Sequence, residues 1–116
     1  MKLKPEILII SKYEKTADLF LVYLADELRK SGIENKLDRR KPTLETNDYV
    51  VIGKSVNSTC IGRSWHLLDY YFVYEFRDAW VDDNVLEREF VWRFKKEIKR
   101  IHSKKELIEI MMRGAK

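Results

Sequence analysis

The chain holds a single cysteine, Cys60, so no intrachain disulfide can form. Such cysteine usage is the pattern of a reducing compartment. Its only histidines, His66 and His102, lie far apart in sequence, which argues against a zinc site. No apolar run approaches the ~18 residues that a membrane span needs. The opening MKLKPEILIISK has an apolar stretch too short for a signal peptide, and Lys12 interrupts it. These absences lead us to expect a cytoplasmic protein with no membrane partner. Glutamine is missing altogether, and glycine and proline are scarce.

Hydrophobic residues make up 45% of the 116 positions, which excludes a disordered chain. The length suits one domain, residues 1–116, with a core that needs no disulfide or metal staple. Charged residues reach 36%, against about 25% in ordinary globular domains. The net charge of +4 is modest, but it is unevenly spread. Asp69 to Glu89 is acidic, whereas Arg93 to Lys105 is basic.

The first half reads as a βαβ unit. A buried strand is predicted over Glu6 to Ser11, entered at Pro5. A helix over Thr16 to Lys30 follows, with Ala17, Phe20, Leu21, Leu24 and Leu28 on one face. Gly32 stops it. Ile33 to Asp38 reads as a weak edge strand, Arg39 to Asn47 as a polar connection around Pro42, and Tyr49 to Ile52 as a buried strand ending at Gly53. Tyr70 to Phe76 is aromatic and β-branched and is assigned to a fourth strand, the alternative being one helix from Ser64 to Trp80. Asp82, Asp83 and Asn84 are N-cap types, and Glu87 three after Asn84 suggests a capping box, opening a helix whose apolar stripe runs through Leu86, Phe90, Phe94, Ile98 and Ile101. Ser103 and Glu106 repeat the signal for a final short helix. The expected architecture is a small three-layer Rossmann-like α/β sandwich, with a mainly parallel sheet of about four strands and two C-terminal helices.

Ligands of such sheets bind beyond the carboxyl ends of the strands. One site candidate is therefore the loop Ser11 to Thr16, where Ser11, Lys12 and Thr16 could meet a phosphate at a helix N-terminus. Thr16 is also a preferred helix cap in its own right, and Glu14 would repel a phosphate. The second is Gly53 to Ser64, in which Gly53, Lys54 and Ser55 superficially echo a P-loop without its spacing. An ordinary polar connection explains this stretch too. Cys60 and His66 form a conceivable thiol–imidazole pair, but no third residue orients it.

Residues SKYEKT after the first strand, the helix ending LRKSGIE, and NDYVVIGKSVNS together resemble the opening half of a flavodoxin. That resemblance implies FMN, its phosphate held at Ser11 to Thr16 and its ring flanked by Trp65 and Trp80. The family's Gly-Asn before the threonine is replaced here by Glu14-Lys15.

The third candidate lies in the predicted C-terminal helix. Arg88, Trp92, Lys96 and Arg100 recur at intervals of four and would share one face. Basic residues with an interleaved aromatic suit nucleic acid, while an outward tryptophan suits a protein interface. Three tryptophans, six tyrosines and five phenylalanines are many for one small core, and a homodimer is the simplest way to cover the surplus. With no catalytic constellation in view, the sequence points to a binding or regulatory module acting through protein contacts as a homodimer, not a self-contained enzyme. FMN or nucleotide binding and nucleic-acid binding are the alternatives.

Abundant lysine and glutamate with few amides is a hyperthermophile tendency. The purified protein is expected to melt above the range of about 45–65 °C where mesophile domains cluster. A calorimetric midpoint inside that range removes the reading.

Overall fold

The computed structural model describes residues 4–56, 67–75, 80–89 and 98–114. Its centre is β1 (Glu6–Ser11), whose six residues are all buried. β1 pairs in parallel with β4 (Val50–Ser55) on one edge and β5 (Leu68–Val73) on the other. A fourth parallel strand, β6 (Lys99–Ile101), adds to β5. Beyond β4 lie β3 (Thr43–Glu45) and β2 (Lys36–Asp38), both antiparallel to their neighbours. The sheet order is β2-β3-β4-β1-β5-β6.

The expected four-stranded, mainly parallel flavodoxin-like sandwich with two C-terminal helices is thus corrected. The sheet has six strands and is mixed, with an antiparallel edge, and three helices occur among the described residues. The hairpin escapes a sequence reading because its strands are three residues each, too short to display an alternation. Only Leu44 at its centre is fully buried. The long C-terminal helix is corrected as well. Ile98 packs on one side of the sheet and Ile101 on the other. Residues three apart share a helix face but take opposite faces of a strand, and here β5 offers an edge that the strand satisfies.

Helix α1 (Glu14–Lys30) starts two residues earlier than Thr16. Its N-cap is Tyr13, without a side-chain cap, and Thr16 lies in its first turn. It ends as the sequence predicts. Gly32 adopts φ 81°, its N–H donates to the carbonyl of Arg29 at 3.0 Å, and Ile33 donates to Leu28 at 2.8 Å. This is a Schellman closure, for which a residue without Cβ is favoured. Gly53 does not end a strand but lies within β4, fully covered by α1. The Tyr70–Phe76 segment is a strand as expected, shifted to Leu68–Val73, and the helical alternative is removed. A bulge after Leu68 puts Leu68, Tyr71 and Val73 on one face and Tyr70 and Phe72 on the other.

Two cores flank the sheet. On one side α1 and α3 (Lys104–Arg113) pack Phe20, Leu24, Leu28, Leu107 and Ile110 onto Ile7, Ile9 and Val51. On the other, Val81 and Leu86 of α2 (Asp83–Glu89) and its approach cover Leu8, Ile10 and Ile52. The α3 cap follows its predicted chemistry, Ser103 Oγ accepting from Glu106 N at 3.1 Å.

A Cβ on Gly53 would meet Leu21 Cδ1 at 3.2 Å and Ala17 Cβ at 3.3 Å, both fully buried. Gly53→Ala is therefore expected to destabilise by about 1–3 kcal/mol through overpacking, read by chemical denaturation. Burial, with Tyr70 and Asp69 nearby, raises the Tyr49 phenol above its ordinary value of 10.0. The unfolded chain then ionises first, so this stability is complete below about pH 10 and is lost as pH rises further. Tyr49→Phe should flatten the fall of melting temperature between about pH 9 and pH 11; an unchanged slope contradicts the assignment.

Candidate functional site

The carboxyl ends of the four parallel strands lie on one edge of the sheet. There the chain leaves β1 for α1 on one face, while the connection after β5 places α2 on the other. Diverging connections at neighbouring parallel strands leave a crevice between them. The crevice here has a volume of about 330 Å³ and is lined by Lys12, Val56, Trp80, Val81, Asp82, Val85 and Arg88. Lys12 follows β1 directly and Val56 follows β4.

Trp80 stands at its mouth and is 59% exposed. Two anchors hold the backbone next to it. The Glu75 carboxylate, just past β5, accepts from Val81 N at 2.8 Å, and the Val81 side chain is buried in the core. Asp82 Oδ1 accepts from Asn84 N at 2.7 Å, and Leu86 N donates to the Asp82 carbonyl at 3.0 Å. Of the three expected N-cap types, Asp82 is thus the one that caps α2, and Asn84 lies inside the helix. A large aromatic is presented to solvent on pinned backbone instead of turning into the core.

Trp80 also lines a second, more polar cleft of about 680 Å³ that includes Glu75, Asp83, Asn84, Arg100 and His102. Arg100 Nη1 lies 3.9 Å from Asp83 Oδ1 there. Among the described residues, no three His, Cys, Asp or Glu side chains group as metal ligands. Nor is any helix among them long and apolar enough to cross a membrane.

Of the first-loop candidates, only Lys12 lines the crevice. Its ammonium sits 5.6 Å from the centre of the Tyr13 ring. Ser11 is fully buried, and its hydroxyl donates to the Tyr13 carbonyl at 2.6 Å, closing the turn. Thr16 is half-buried within α1. Gly53, Lys54 and Ser55 form the end of β4, and the Gly53 N–H is committed to Pro42 O at 2.9 Å. They make a strand, not a phosphate loop. Arg88 is an α2 residue in the crevice, whereas Arg100 belongs to β6 and the second cleft. The two ends of the expected basic helix face therefore sit on different elements. Trp65, Trp92 and Lys96 lie outside the described residues, as do Cys60 and His66.

Sequence reasoning did not find Val56, Val81 and Val85 as crevice walls. Their only signal is position, since each lies just past a parallel strand or at the start of α2. Comparison with protein-family models, with curated proteins and with solved structures finds no match to this chain.

Proposed function

We propose that the protein is a small α/β binding module whose crevice takes a planar anionic ligand, a nucleotide or flavin phosphate. The observation that carries this reading is Trp80, exposed above a crevice to which Lys12 and Arg88 contribute from different elements. An indole face stacks on any base or flavin ring, for about 1–3 kcal/mol per base. A guanidinium and an ammonium suit the phosphate, the first as a planar fork and the second as a point charge. Val56, Val81 and Val85 supply an apolar floor, and the volume falls within the range of about 300–1,000 Å³ usual for small-ligand sites. The location supports it too, because the crevice lies where neighbouring parallel strands send their connections to opposite faces. The polar second cleft that Trp80 also lines is suited to the ring's hydrogen-bonding edge.

Isothermal titration with ATP, AMP and FMN tests the reading. One of them should bind, and Trp80→Ala and Lys12→Glu should each weaken that binding about tenfold or more. Binding by none, or binding that both variants leave unchanged, sinks it.

A further inference from the structure

Helix α1 carries a second apolar surface, centred on Leu19 and Val22, which its own fold engages only at the Tyr23 margin, where that ring lies 5.8 Å from Phe20 and 5.1 Å from the Lys104 ammonium. Ala17, Phe20, Leu21, Leu24, Ala25 and Leu28 are buried on the sheet. Diametrically opposite, Leu19 is 52% exposed, Val22 36% and Tyr23 40%. Spaced i, i+3, i+4, these three form one continuous patch, not scattered exposure. The same outward stripe bears Lys15 a turn before Leu19 and Asp26 a turn after Val22, both exposed; Asp26 lies 3.2 Å from Lys30 of its own helix, a solvent-exposed ion pair that contributes little and can exchange partners.

We infer that this stripe is a self-association surface whose occupant is a second copy of the same chain, the two α1 helices lying antiparallel about a two-fold axis. A two-fold contact must be self-complementary, and the charges discriminate between registers. With the axis midway between Leu19 and Val22, Leu19 meets the partner's Val22, and Lys15 faces the partner's Asp26. By symmetry this ion pair forms twice. Moving the axis to between Val22 and Tyr23 instead opposes Lys15 to the partner's Lys30, and a parallel arrangement opposes each lysine to itself. The apolar centre and the flanking charges therefore favour this geometry over those two. It differs from the basic helix face that the sequence suggested, and it leaves the Trp80 crevice open.

One pair of helices covers less than the ~1,000 Å² of a durable interface, so the dimer forms at high micromolar concentration. Sedimentation equilibrium from about 10 µM to 1 mM at low salt tests it. The wild-type protein should pass from monomer to dimer across that range, and Leu19→Glu should remain monomeric. Lys15→Glu should weaken dimerisation about three- to tenfold, and adding Asp26→Lys should restore it. All these positions are exposed, so circular dichroism should show each variant folded. A wild-type monomer at every concentration overturns the inference. So does a dimer that Leu19→Glu leaves intact, or a Lys15→Glu loss that the second charge reversal does not recover.

Discussion

The structure depends on one constraint, the complete enclosure of β1. Its main chain is paired on both edges and its side chains are covered on both faces. Ile7, Leu8, Ile9 and Ile10 are fully buried, each worth about 1.5–3 kcal/mol relative to exposure. Covering both faces requires helices on both sides, which α1 with α3 and α2 provide. The chain passes through α1 between the parallel strands β1 and β4, and through α2 between the parallel strands β5 and β6. The close seating of α1 on Gly53 is part of the same enclosure. A Cβ at Gly53 would press on Ala17 and Leu21, so the first turns of the helix lie low on the sheet there.

The crevice follows from this arrangement. Strands enclosed on both faces can offer a ligand nothing along their length, which leaves the carboxyl edge, where α1 and the α2 connection part. What makes that edge chemically distinctive is the pinning of 80–82. Val81 is drawn into the core, Glu75 holds its N–H, and Asp82 caps α2. With its neighbours so fixed, Trp80 remains in solvent. Exposure of an indole costs apolar burial, and the fold accepts that cost at the one edge where ligands of such sheets bind.

The legible parts were those with local causes. The α1 stripe and its Gly32 closure, the apolar runs of β1 and β4, and the Ser103 cap of α3 follow from periodicity and capping chemistry within a few residues. The illegible parts had tertiary causes. The hairpin of β2 and β3 is too short to show a pattern, and it exists because β4 needed a partner on its outer edge. Lys99–Ile101 has helical periodicity but became a strand because β5 offered an unpaired edge. Of the candidate site, Lys12 was legible from its place after a strand and Trp80 from the flavodoxin resemblance. The valine walls were not, since their role arises only when three separate strand exits converge.

The sequence by itself determined that this chain is an α/β domain organised on a buried parallel pair, because apolar runs and helical stripes encode burial directly. Tertiary structure alone decided the antiparallel edge, the division of the basic series between α2 and β6, and the outward stripe of α1. Each of these depends on which neighbour satisfies an edge or covers a face. Such a choice is made among segments distant in sequence, where no local spacing records it.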